Sequence, residues 1–300
     1  IQAGRCVPGI QALLEIAGRN MQRVVAADMG FAVGPRLNAA GRLDEMSVGI
    51  DCLLSDDIVA ARNMAARLET MTRDRKDIES DMQARALDVI AALDLKDDEL
   101  PLGLCLFEPD WHQGVIGILA ARIKERFHRP VIAFARSGEG ELKGSARSVT
   151  GLHIRDALDA VAAQHPGLID KFGGHAMAAG LSLAEANYST FAAAFNKEVA
   201  RHLSTDDLTG IIYSDGELSE QELSLDTAQL LRDASPWGQG FPSPLFDGDF
   251  RVMSQRVVGE KHLKMTLQPA HGDSRIDGIA FNTAVLPAGC QQVHMAYRLD

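Results

Sequence analysis

LGLCLFEPDWHQGVIGILAARIKERFHRPVIAFA, residues 102–135, is the stretch that decides the fold. Leu102 to Phe107 is a short apolar run of strand length, and Pro130 to Ala135 is a second one. Between them, Gln113 to Phe127 spaces its apolar residues three and four apart, which predicts a helix. Strand, helix and strand in that order make a βαβ unit with a parallel pair. Working outward, Leu142 to Val149 reads as a strand, Leu152 to Gln164 as a helix, Ala178 to Leu183 as a strand and Tyr188 to Leu203 as a closing helix. An α/β domain over 96–203 follows, with the charged run Lys96 to Pro101 as the connector into it.

Upstream, Asp56 to Leu93 contains neither Gly nor Pro. Apolar residues at Ile58, Ala61, Met64, Leu68, Met71, Ile78, Met82, Val89 and Leu93 keep helical spacing, so 56–95 is expected to be one long connecting helix of roughly 55 Å. Residues 1–55 form a helix-rich entry segment in which Pro8 suits a helix start, Asn20 a cap and Gly34-Pro35 a stop. Downstream of Ser204 the pattern changes to short β-type runs: Gly210 to Ser214, Phe246 to Val258, His262 to Gln268, Arg275 to Phe281 and Val293 to Leu299. A helical interruption lies at Leu225 to Asp233. This predicts a mostly β domain over 204–300, shaped like a small oligonucleotide-binding barrel.

Hydrophobic residues make up 46% of the 300 and charged residues 24%, enough apolar content for more than one core. No apolar run is long enough to span a membrane, and no leader pattern precedes the entry segment, which points to the cytoplasm. Cys6, Cys52, Cys105 and Cys290 lie far apart among apolar neighbours and suit small buried hydrophobes. A net charge of -11 argues against indiscriminate attraction to phosphate. Arg122 to Arg155 is the exception, with eight Lys or Arg against three acids. That excess is either a phosphate-attracting face or a set of solvated strand and helix surfaces.

Four segments carry residue types suited to gripping an anion. In Lys171 to Gly180, Gly173 and Gly174 precede His175, and paired glycines let a ligand approach the main chain beside an imidazole; the alternative is a hairpin turn with an incidental histidine. In Lys143 to Ser148, a period of two puts Lys143, Ser145 and Arg147 on one side, as a phosphate-sized group or as an exposed edge kept soluble by charge. Trp111 to Gly117, including His112, lies at the amino end of a predicted helix, where free N–H groups and the dipole favour an anion. Gly34 to Arg42 sets Arg36, Asn38 and Arg42 among small residues and could present both guanidinium groups to one ligand, or the segment could be an exposed linker. No Asp-His-His, His-Glu-x-x-His, paired-cysteine or Walker pattern appears, so no metal site is readable.

Taken together, PRLNAAGR at 35–42, WHQGVIGILA at 111–120, KGSARS at 143–148, FGGHAMAAG at 172–180 and PWGQGFPSPLF at 236–246 resemble the RecJ family of DHH phosphoesterases in content, order and spacing. The resemblance implies the carboxy-terminal part of a single-stranded-DNA-specific 5′-3′ exonuclease of DNA repair and recombination. Its DHH-associated α/β domain would follow a long linker helix and precede the oligonucleotide-binding barrel. It also implies that manganese or magnesium is held by a DHH domain preceding Ile1, so that none is bound by the residues here and the fragment alone is inactive. The chain ends at Asp300, where a further strand would be expected to finish the barrel.

By the same resemblance, His175 and Arg42 are catalytic. Asn38, Lys143, Ser145, Arg147, Gly173, Gly174 and His112 bind substrate, with Ser145 and Arg147 reading the 5′-terminal phosphate. Single-stranded DNA is the implied ligand, and single-strand-binding protein and a RecQ-type helicase are implied partners. Two other classes compete. One is a nucleic-acid-binding module without chemistry, like the domain appended to alanyl-tRNA synthetases; the other is a DHH-type phosphodiesterase of short oligonucleotides.

Overall fold

The structure, a computed structural model, describes residues 1, 3–43, 45–91, 100–234, 236–238, 240–259, 262–283, 285–286 and 289–300. Residues 96–99 of the expected connector and the last apolar position of the long helix, Leu93, lie outside these residues. The chain forms two compact units, Ile1–Val24 with Asp28–Gly210, and Val25–Ala27 with Ile211–Asp300.

The chain opens with short helices: α1 (Pro8–Ile16), α2 (Ala26–Asp28), α3 (Gly34–Leu43) and α4 (Ser47–Leu54). Pro8 occupies the first turn of α1, where its missing N–H costs nothing. Asn20 caps a single 3-10 turn by accepting from the Gln22 N–H at 2.9 Å. Gly34-Pro35 does not stop the chain, contrary to the expectation. A π-helical turn over Met29–Val33 runs directly into α3. That wider turn is one way to continue a helix where proline withholds its N–H. The PRLNAAGR segment is therefore a helix and no linker, and it buries Ala39 and Ala40 completely.

Helix α5 (Ile58–Ala91) then runs for 34 residues, about 51 Å at 1.5 Å per residue. Its first half buries Ala61, Ala65 and Leu68 against α1, α3 and α4, and its second half buries Met82, Ala86 and Ile90 against the α/β layer. One helix thus supplies a wall to two cores. The α/β layer consists of β1 (Leu104–Phe107), α6 (Ile116–Phe127), β2 (Val131–Gly138), β3 (Glu141–Arg147), α7 (Ile154–Gln164), β4 (Lys171–Gly174), β5 (Ala178–Ala184) and α8 (Tyr188–Val199). Strand order is β1-β2-β3-β5-β4, with β1 and β2 parallel as the βαβ reading requires and every other pairing antiparallel. Strand β4 is not among the expected strands, because two of its four residues are glycines, which strand interiors disfavour.

The sheet has two unlike faces. Phe134, Leu142, Ala146, Leu181 and Leu183 pack with α7 and α8 in one core. Val131, Ala133 and Ala135 meet α6 and α5 on the other. Helix α6 covers β2 and β3 on that second face, which leaves the same face of β5 and β4 with Gly173, Gly180 and Lys171 exposed.

In the second unit, α9 (Leu225–Ala234) precedes β6 (Phe246–Val258), β7 (His262–Pro269), β8 (Ile276–Ala280) and β9 (Gln292–Tyr297). Alternate residues of β7 are buried, and Phe250, Leu263, Met265 and Leu267 form the core. The described strands make an open antiparallel sheet in the order β8-β7-β6-β9, so the expected barrel is not closed among the described residues. The expected strand at Gly210–Ser214 is irregular instead. Ile211, Ile212 and Tyr213 are strongly exposed and stand outside every ladder.

Candidate functional site

Three elements of the first unit converge on one cavity of about 390 Å³. The carboxy end of α3 brings Gly41 and Arg42, the loop into α6 brings Gln113 and Gly114 with Ile116 and Gly117 behind them, and β3 brings Lys143, Gly144, Ser145 and Arg147. Local sequence explains each placement. Alternation along β3 sends Leu142 and Ala146 into the core and turns Lys143, Ser145 and Arg147 to the opposite face. Gly144 points to the core side, where a Cβ would strike Leu181 and Phe134.

Gly117 allows α6 to lie close on β3. A Cβ there would stand 2.9 Å from Arg147 Nη2 and 3.0 Å from Ser145 Oγ. The Arg147 guanidinium is braced by the strand, donating from Nη1 to Ser145 Oγ at 3.2 Å and to the Ala146 carbonyl at 2.8 Å. The approach to α6 is fixed too. Gln113 Nε2 donates to the Arg136 carbonyl at 2.7 Å, and His112 Nδ1 accepts from the Gly114 N–H at 3.1 Å. Arg42 Nη1 donates to the Gly114 carbonyl at 3.2 Å, which ties α3 to this loop.

The cavity is electrostatically one-sided. Arg42, Lys143 and Arg147 line it, and among the described residues no carboxylate does. Burial, together with the neighbouring Arg42 guanidinium, pushes the pKa of Arg147 below the usual arginine value. Like charges are held together there without a counter-ion from the described lining, and the amino end of α6 adds its dipole to the same space. Hydroxyl, guanidinium, ammonium and free N–H donors in one cavity suit a tetrahedral oxyanion. The same donor set does not suit a metal ion. Among the described residues, no group of three or more His, Cys, Asp or Glu is placed to hold one.

The other expected residues fall outside the cavity lining. Asn38 is exposed one turn before Arg42 on α3, and His112 is exposed in the loop. Arg36 does not share a ligand with Arg42, because it pairs with Glu69 Oε2 at 2.6 Å and donates to the Ala32 carbonyl at 2.7 Å. Helix α6 starts at Ile116, three residues after the expected Gln113, since residues 112–115 are used as the loop.

Gly173, Gly174 and His175 lie two strands away in the same sheet. Gly173 opposes Gly180, which in turn opposes Ser145, and Arg147 opposes Ala178. The His175 N–H donates to the Ala178 carbonyl at 2.8 Å, closing the β4–β5 hairpin and leaving the imidazole exposed. Hairpin and exposed imidazole are thus both present. Gly174 has φ +149, and a Cβ on it would collide with Ala179 Cα, so glycine is required there. Sequence reasoning singles out no role for Gly41 or Gln113 in this cavity. Only the fold brings them there.

Residues 101–201 match the DHHA1 domain and residues 214–300 the RecJ OB domain. The chain is 55% identical over 303 residues to the single-stranded-DNA-specific exonuclease RecJ of Dickeya dadantii (strain 3937), covering 100% of this chain and 53% of that protein. Its fold matches the crystal structure of RecJ in complex with Mg2+ from Thermus thermophilus, with a TM-score of 0.78 at 28% identity over 98% of this chain and 43% of that one. The corresponding Mn2+ complex gives a TM-score of 0.77 at 28% identity, over 98% and 41%. The chain spans about half the length of the curated relatives it matches. A DHHA1 domain followed by a RecJ OB domain, in a chain aligned throughout with RecJ, makes this protein a member of the RecJ family.

Proposed function

We propose that these residues are the DNA-gripping part of a RecJ-type exonuclease that hydrolyses single-stranded DNA from its 5′ end, in repair and recombination. One observation carries this reading: Arg42, Ser145, Arg147 and the amino end of α6 share one cavity that no carboxylate lines among the described residues. The cavity takes the 5′-terminal phosphate. Arg147 and Ser145 grip its oxygens from β3, while Arg42 and Lys143 supply further positive charge. A pocket that holds a terminal phosphate starts digestion at an end and sets its direction.

His175 stands across the sheet from this pocket, where its imidazole stabilises charge developing on the oxygens of the phosphate being cut. Gly173 lets the strand approach, and Asn38 and His112 contact it beside the cavity. The Mg2+ and Mn2+ of the Thermus thermophilus complexes support metal-dependent hydrolysis by the whole enzyme. In this reading the ions are held by residues beyond those described. The test compares nucleotide release from 5′-labelled single-stranded DNA, with Mg2+ or Mn2+, by the complete protein and by these 300 residues alone. Release by the complete protein only is expected, whereas robust release by the 300 residues alone contradicts the reading.

A further inference from the structure

Cross-strand register places three rows of residues on the sheet face that carries Arg147. One row runs from Arg147 to Ala178 and ends at His175, and the second runs Ser145, Gly180, Gly173. In the third, Lys143 opposes Ser182, which opposes Lys171. Adjacent strands lie about 4.8 Å apart, so Lys171 sits roughly 10 Å across the sheet from Lys143, on the edge strand β4.

Ser182, between these two lysines, is buried, and it is the adjoining Ser145–Gly180–Gly173 row that carries almost no side chain beyond Ser145. Gly173 and Gly180 are exposed, and neither glycine is required by the fold. A Cβ on Gly173 would meet nothing within 4 Å, and one on Gly180 would only reach the Gly144 carbonyl at an ordinary 3.8 Å. Neither has the left-handed backbone that explains Gly174. Strand interiors disfavour glycine, so two unforced and mutually opposed glycines point to close approach by another molecule. Lys171 is exposed and has no ion-pair partner among those found for the described residues.

We propose that the Gly180–Gly173 floor is a track for the sugar-phosphate backbone leading out of the terminal-phosphate cavity, and that Lys171 binds a phosphate along it. The inference rests on the functional reading above and deepens it. Lys171 belongs to the same open face as Lys143 and Ser145 but lies beyond the cavity, so it contacts an internal phosphate and not the terminal one.

The experiment measures binding of a 5′-phosphorylated single strand and of a 5′-phosphorylated mononucleotide to the complete protein without divalent metal, over a series of salt concentrations. Lys171→Ala is expected to weaken binding of the strand about three- to tenfold and to flatten its log-log salt dependence by about 0.7, the slope carried by one phosphate contact on a single strand. Lys171→Arg should restore both, and the mononucleotide should bind the parent and Lys171→Ala alike. Gly180→Val, whose unfolding midpoint is measured beside the parent's, should weaken the strand but not the mononucleotide. Unchanged strand affinity and salt slope in Lys171→Ala and Gly180→Val would overturn the track while the parent still binds. An equal loss for mononucleotide and strand would overturn it as well. A parent protein that binds neither ligand overturns the underlying reading instead.

Discussion

Arg42 and Gly114 interlock across 72 residues of sequence: the Arg42 guanidinium donates to the Gly114 carbonyl at 3.2 Å, and a Cβ on Gly114 would run into the Arg42 carbonyl oxygen. Helix α3 and the loop entering α6 therefore position each other, and the cavity depends on both. Gly114→Ala should cost about 1–3 kcal/mol of stability, the usual range for a forced backbone shift. It should also weaken binding of inorganic phosphate by roughly tenfold as Arg42 is displaced, one decade per 1.4 kcal/mol. Denaturant unfolding and phosphate titration check the two effects. A folded variant with unchanged phosphate affinity would show that the interlock does not position Arg42.

Arg36 tests the converse. It is largely buried, with 13% of its side chain exposed, and it holds Glu69. Arg36→Ala should destabilise the helical segment by about 2–3 kcal/mol, because it leaves the Glu69 carboxylate in a mostly buried position without this partner. The affinity ratio between 5′-phosphorylated and 5′-hydroxyl strands should not change in that variant. A lost ratio with intact stability would mean that Arg36 faces the ligand after all.

Much of the α/β layer was legible because its signals are local. The apolar run of Leu104 to Phe107 and the helical spacing of Ile116 to Phe127 each state their own structure, and the alternation from Glu141 to Arg147 correctly predicted which side chains share a face. The misreadings have a common cause in tertiary context. Lys171–Gly174 is a strand only because β5 lies beside it. Gly34-Pro35 stays helical through the π turn before it and the burial of Ala39 and Ala40. Ile211 to Tyr213 have strand-forming side chains but join no described ladder. In the site, Ser145 and Arg147 could be placed together from period two, whereas Gly41 and Arg42 reach the same cavity through the packing of α3 on α5, and Gln113 through its bond to the Arg136 carbonyl on β2.

Glu198 sets a pH dependence for the α/β unit. It is buried, and burial pushes its pKa up. Hydrogen bonds from Arg201, Gln164 and His202 outweigh that and hold the carboxyl below its ordinary value of 4.5. A depressed folded value means that the unfolded chain binds the proton more tightly, so this contribution is present above about 4.5 and is lost as pH falls through the lower folded value. Glu198→Gln should thus be less stable than the parent by about 1–2 kcal/mol at neutral pH, with the gap closing in acid. Urea unfolding of both proteins across that range is the measurement. A gap independent of pH would remove the assignment.

His175→Ala in the complete enzyme should lower kcat by a factor of about 10²–10³ with little change in strand affinity, as expected of a group acting on developing charge. Its imidazole makes no described core contact and its N–H donates from the backbone, so the hairpin should survive the substitution. Single-turnover cleavage and direct binding separate the two parameters. Equal cleavage rates in parent and variant would remove the role.

The most direct measurement is the affinity ratio of 5′-phosphorylated to 5′-hydroxyl single-stranded DNA, in the parent and in Arg147→Ala. Charge-assisted bonds from the Arg147 guanidinium contribute about 1.5–3 kcal/mol, so the parent should prefer the phosphorylated end by at least about tenfold and the variant should lose most of that preference. A parent ratio near one, or a preference that survives the loss of Arg147, would contradict a terminal-phosphate pocket built from α3, α6 and β3.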